Sequence, residues 1–167
     1  MKFIVKNKII TLGGSSVVTD ESGAEVMKIK GRIFTFTRKK FVIGPDGKKL
    51  YTVRSKFWHF IHNSAFIYDA NGTKIAKLSN NKFDFKHKFV LTGYGSDIVI
   101  SGNLFQFPDI KMEITENGAH KGWLIKNFNF VRDAYTVEVD DKTDLAFMVA
   151  LVIAVDNIFD EKRGDND

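Results

Sequence analysis

Leu145-Ala146-Phe147-Met148-Val149-Ala150-Leu151-Val152-Ile153-Ala154-Val155 is an unbroken run of eleven apolar residues, closed by Asp144 on one side and Asp156 on the other. A helix over this run is apolar all the way round, and such a helix must be surrounded by lipid or by protein. A bilayer span takes about 20 residues. The run is too short for that, so protein has to supply the coat. Ala146, Ala150 and Ala154 fall at i, i+4 and i+8 and make one smooth stripe where another backbone can approach. Phe147, Leu151 and Ile158 fill the neighbouring stripe. Thr143 or Asp144 suits the N-cap, and Asp140, Asp141 and Asp144 suit the positive end of the helix dipole. The pattern predicts a central helix at about 143–159 and a polar tail at 161–167.

Upstream of the helix the chain reads as hairpins. Asp20-Glu21-Ser22-Gly23, Pro45-Asp46-Gly47, Asn71-Gly72, Gly93-Tyr94-Gly95 and Asn117-Gly118 recur with glycine intervals of 24, 25, 23 and 23. Asp-Gly and Asn-Gly favour tight turns, since both central positions of a type I′ turn need positive φ. Between turns the apolar residues alternate. Phe83, Phe85, His87 and Phe89 share one face while Asp84, Lys86 and Lys88 share the other. Tyr135, Val137 and Val139 repeat the pattern just before the helix. Sixteen Phe against two Pro agree with strands. At roughly 11 or 12 residues per strand and turn, this gives on the order of twelve strands. A barrel of about eight strands is filled by its own side chains, whereas about twelve leave a lumen. A helix about 10 Å across fits that lumen. The expected fold is therefore mainly β: a closed antiparallel barrel of about twelve strands enclosing the hydrophobic C-terminal α-helix, in a single domain over 1–160.

Several classes of chemistry are excluded by composition. There is no cysteine among the 167 residues, which removes disulfide frameworks, cysteine–zinc sites, thiol nucleophiles and palmitoyl anchors. The start, Met1 to Lys6, carries no apolar run long enough for a signal peptide. A cytoplasmic location, peripheral to a membrane, is the expectation.

Charge is distributed unevenly along the chain. The net value is +5, yet residues 1–92 carry 18 Lys/Arg and 6 Asp/Glu, or +12, and residues 93–167 carry 7 and 14, or −7. Two arrangements are open. The halves interleave around the barrel and complement each other, or they separate and the basic half meets an anionic partner.

The opening Lys2-Phe3-Ile4-Val5-Lys6-Asn7-Lys8, the succession of Asp-x-x-Gly and Asp/Asn-Gly hairpins and the Trp123 strand resemble the LURP-one-related family. So does Tyr135-Thr136-Val137-Glu138-Val139 followed by Ala150-Leu151-Val152-Ile153-Ala154-Val155-Asp156-Asn157-Ile158. That family is similar to the Tubby C-terminal domain and the phospholipid scramblases, and a compact chain like this one looks like its bacterial members. The resemblance implies a twelve-stranded barrel with the C-terminal helix threaded through it. For function it implies little: plant members are linked to defence, Tubby domains bind phosphoinositide head groups, and scramblases act at membranes. No Tubby lipid-binding motif maps onto this chain residue by residue. The cysteines and true span of the scramblases are missing.

Catalytic motifs are sparse. His59 and His62 point to opposite faces of a strand, and His87 and His120 belong to other strands. Gly13-Gly14-Ser15-Ser16 lacks the Gly-Lys-Ser/Thr ending of a phosphate loop, and Asp69-Ala70-Asn71-Gly72 lacks the acidic residue that would complete a calcium loop. No metal, cofactor or catalytic residue is expected, and the chain reads as a non-enzyme. The strongest signal is basic–aromatic interleaving, at Arg38-Lys39-Lys40-Phe41, Arg54-Ser55-Lys56-Phe57-Trp58 and Lys82 to Lys88. Such a pattern suits single-stranded nucleic acid, but period-two alternation already predicts it in a barrel with aromatics inward and lysines outward, which is the favoured reading. The expected function is a binding domain whose outward Lys28, Lys30, Arg38, Lys39, Lys40, Arg54 and Lys56 meet anionic phospholipid or a protein. The alternatives are a small-ligand carrier or enzyme with its site at the barrel mouth, and a nucleic-acid module.

Overall fold

The structure, a computed structural model, describes residues 1–7, 16–31, 39–55, 62–81, 87–102, 109–127 and 134–164. Its strands are β1 (Lys2–Asn7), β2 (Ser16–Asp20), β3 (Glu25–Gly31), β4 (Lys39–Ile43), β5 (Lys49–Ser55) and β6 (His62–Tyr68). They continue as β7 (Lys74–Asn81), β8 (His87–Thr92), β9 (Ile98–Gly102), β10 (Asp109–Glu116), β11 (Ala119–Asn127) and β12 (Ala134–Val139). Each strand pairs antiparallel with the next in sequence, and β12 pairs with β1 to close the ring. Closure leaves no sheet edge to be managed.

Period-two alternation sends one side chain in two to the interior. Tyr135, Val137 and Val139 of β12 are buried while their neighbours are half-exposed, and Ile110, Met112 and Ile114 of β10 do the same. The lumen they face is occupied by α1 (Leu145–Gly164), every residue of which is buried from Ala146 to Ile158. The helix lies closest to β5 and β6. No helix among the described residues is long and apolar enough to cross a membrane.

Asp144 is the N-cap, its Oδ1 accepting from the Phe147 amide at 3.1 Å. Thr143 turns its hydroxyl to Asp140 instead, at 2.7 Å. The helix runs to Gly164, past the expected end near 159. Glu161, Lys162 and Arg163 are good helix formers, and glycine is a common stop.

The hairpins stand where the glycine repeat puts them, with one correction to their chemistry. Asn71 does not have positive φ; Asn117, at φ 50°, is the one non-glycine that does among the described residues. Only Asn117-Gly118 has both central residues at positive φ. Asp20 to Gly23, Gly44 to Gly47 and Asp69 to Gly72 share another design. The glycine amide donates to the carbonyl three residues back, at 3.1, 3.0 and 3.2 Å. The glycine takes the left-handed conformation, and the strand register slips beside it. This is a type I turn closed by a bulge. An aspartate in each loop, Asp20, Asp46 or Asp69, accepts from backbone amides further on.

Strand alternation places all five of these turns at one end of the barrel, together with the β12–α1 link. Sequential order around the ring has a second consequence. The basic and acidic halves of the chain do not interleave; they form two separate arcs of the wall.

Candidate functional site

On the outer wall of β3 to β7, strand register lines up two cross-strand rows. One runs Lys30, Phe41, Thr52, Tyr68, Lys74; the other runs Lys39, Arg54, Phe66, Lys77. Directly opposed residues have Cβ atoms about 4.5–5.5 Å apart, so cations and rings tile one continuous surface. Lys39 lies 5.3 Å from the Phe41 ring, Lys74 5.7 Å from Phe66, and Arg54 6.0 Å from Tyr68. Thr52, between Phe41 and Tyr68, is only 5% exposed although it points outward. Glu25 is the one carboxylate within these five strands, and it pairs with Lys28 at 3.2 Å. Among the described residues Lys30, Arg54, Lys74 and Lys77 stand in no ion pair.

On the opposite arc several carboxylates are paired with neighbours. Glu138 pairs with Lys2 at 3.0 Å, and Glu113 with His120 at 2.8 Å. Lys121 bridges Glu116 and Asp140 at 3.2 and 3.6 Å. Lys111 sits 3.9 Å over the Trp123 ring.

Of the seven residues expected on the basic surface, Lys28, Lys30, Lys39 and Arg54 lie on this outer wall. Arg38 and Lys56 fall outside the described residues. Lys40 departs from the set. It alternates with outward Lys39 and Phe41, shares the inner face with buried Val42, and reaches Asp156 of α1 at 3.1 Å. The Tyr135 hydroxyl donates to the other oxygen of Asp156 at 3.0 Å. A cavity of about 20 Å³ adjoins this network, the size of a single water.

A roomier site opens at the turn end, where α1 enters. Tyr94, held between Gly93 and Gly95, stacks on Phe147 with ring centroids 3.6 Å apart, and Tyr51 meets Phe147 edge-on at 5.9 Å. The Tyr51 hydroxyl donates to Asp144 at 2.7 Å. Burial raises the Tyr51 pKa, and the bond to Asp144 raises it further. Burial likewise raises Tyr94, with the Asp144 and Glu116 charges adding to the effect. Glu116 is held low by the Ser96 hydroxyl and then by Lys121, and Asp140 chiefly by Thr143. In the sequence Tyr94 reads as a turn residue and Asp140 and Asp144 as helix-capping groups. A tyrosine between two glycines opposite an aspartate-rich helix start was the available signal.

His59 lies outside the described residues, and His120 is exposed on β11 beside Glu113. No group of three or more metal-ligating side chains occurs among the described residues. The LURP-one-related family profile matches residues 1–156. The chain belongs to the LURP-one-related family. No curated protein and no solved structure matches it.

Proposed function

For this LURP-one-related barrel we propose a non-enzymatic binding role, in which the basic and aromatic wall over β3 to β7 docks on an anionic lipid surface. The observation that carries the reading is the sequential strand order, which sets β3 to β7, with Lys28, Lys30, Lys39, Arg54, Lys74 and Lys77 and the single carboxylate Glu25, side by side in one arc. Glu113, Glu116, Glu138 and Asp140 of the acidic arc are paired with neighbours, while Lys30, Arg54, Lys74 and Lys77 of the basic arc stand in no ion pair among the described residues and are open to an outside partner. Each such cation near an anionic membrane contributes about 1 kcal/mol, and the attraction decays within a Debye length. Phe41, Phe66 and Tyr68, set between the cations, suit the boundary between head groups and acyl chains.

Co-sedimentation with vesicles tests this. Retention on vesicles rich in phosphatidylserine should fall steeply between low and physiological salt, and neutral phosphatidylcholine vesicles should retain little. The Lys30→Glu, Arg54→Glu, Lys77→Glu triple variant should lose binding with its barrel intact. Equal retention on both vesicle types, or none at low salt, rejects the reading. A parallel series with single-stranded RNA identifies the other anionic partner class: RNA binding without vesicle binding replaces the lipid proposal.

A further inference from the structure

The mouth beside the start of α1 encloses a cavity of about 190 Å³. One buried water needs only ~10–15 Å³, so this space takes an organic molecule where the internal cavity near Lys40 takes a water. Its floor is apolar: Ile98, Ile114, Val139 and Met148 are each no more than 6% exposed. The stacked pair Tyr94 and Phe147 forms a wall. The rim is charged, with Glu116, Asp140 and Asp144 facing Lys121 and Lys142. Lys121 is already divided between Glu116 and Asp140. Carboxylates therefore outnumber ammonium groups around an apolar pit, and the same negative field reaches the Tyr94 hydroxyl.

We propose that this mouth cavity binds a small organic ammonium ion, a primary amine on a short apolar body. The charge sits among Glu116, Asp140 and Asp144, and the body lies on Ile98, Ile114 and Met148 beside Phe147. Apolar pockets with a few convergent polar groups are the usual form of small-molecule sites. Here the sign of the rim selects a cation, because a carboxylate ligand would meet like charge and a neutral one would gain only the floor. The assignment is independent of the lipid-binding wall, which lies on the outer face of β3 to β7.

The test titrates the full chain with 2-phenylethylamine, 2-phenylethanol and 3-phenylpropionate, three molecules of similar shape and different charge. Backbone amide shifts at Tyr94, Ile98, Phe147 and Met148 provide the readout. The amine should shift them saturably and bind at least about tenfold tighter than the alcohol or the acid, as a charge-assisted contact requires. Glu116→Gln and Asp144→Asn, which keeps the cap, should each weaken the amine several-fold with the remaining spectrum unchanged. Met148→Trp, filling the floor, should abolish binding; if that variant fails to fold, the two charge-neutralised variants decide. Equal affinity for the three compounds, preference for the acid, indifference to both neutralisations, or no saturable shift with any compound overturns the proposal.

Discussion

Lys40 on β4 and Asp156 on α1, 116 residues apart in the chain, form an ion pair of 3.1 Å inside the barrel. Tyr135 on β12 holds the second oxygen of the same carboxylate, so one helix side chain is tied to two strands of the wall. Asp156 is 8% exposed and Lys40 24%. Burying either charge alone would be costly, and together they fix how the far half of the helix sits.

Asp156→Ala should therefore destabilise the fold by about 3 kcal/mol, at the lower end for breaking a buried pair because Lys40 keeps some contact with water. Lys40→Met with Asp156→Leu should recover much of the loss. Urea unfolding of Lys40→Met, Asp156→Leu and the double measures the coupling. Additive effects would mean that the pair contributes nothing as a pair.

Leu151 is 1% exposed at the centre of the helix. Leu151→Asp places an unpaired carboxylate in an apolar lumen and should prevent folding altogether. Deleting everything after Asp141 should be equally damaging, because it leaves a shell with no core. Circular dichroism and amide dispersion check both. A soluble, strand-rich Leu151→Asp protein would place the helix outside the core.

Two glycines separate strain from collision. A Cβ on Gly72, at φ 89°, meets nothing within 4 Å, whereas on Gly122 it would lie 1.9 Å from the Glu138 carbonyl oxygen. Gly72→Ala should cost about 1 kcal/mol of backbone strain. Gly122→Ala adds overpacking against the β12 backbone and should cost at least about 3 kcal/mol. Similar unfolding midpoints for the two variants would contradict the pairing of β11 with β12.

Alkaline pH should reveal Tyr51. Its folded pKa is raised, first by burial and then by Asp144. Below the ordinary tyrosine value near 10 both folded and unfolded chains hold the proton, and the stabilisation is complete. Above that value the unfolded chain releases its proton while Tyr51 keeps it. The unfolded state then binds fewer protons, and stability falls as pH rises toward the folded pKa. Tyr51→Phe should flatten this decline between about pH 9 and 11, as read from urea midpoints. An unchanged slope would remove the effect.

The architecture was legible in the sequence because its signals are local and periodic. The wholly apolar run from Leu145 demanded a coat, glycines recurring every 23 to 25 residues set the number of hairpins, and alternation told wall from lumen. Asp144 as the cap followed from residue type alone. The candidate sites were less legible, since a ligand surface depends on which strands are neighbours. The charge imbalance pointed toward a basic surface, yet only sequential closure of the ring turned it into one arc rather than an interleaved mixture. Lys40 reads as one more surface cation until register places it beside Val42 and opposite Asp156. Asn71-Gly72 reads as a two-residue turn until the Gly72 amide is seen to reach Asp69. The mouth cavity brings together β9, β10, β11, β12 and α1, and no local pattern encodes its volume. Periodicity fixes what each segment must bury, and pairing across more than a hundred residues decides which charges meet, because Coulomb and hydrogen-bond partners are chosen by proximity in space.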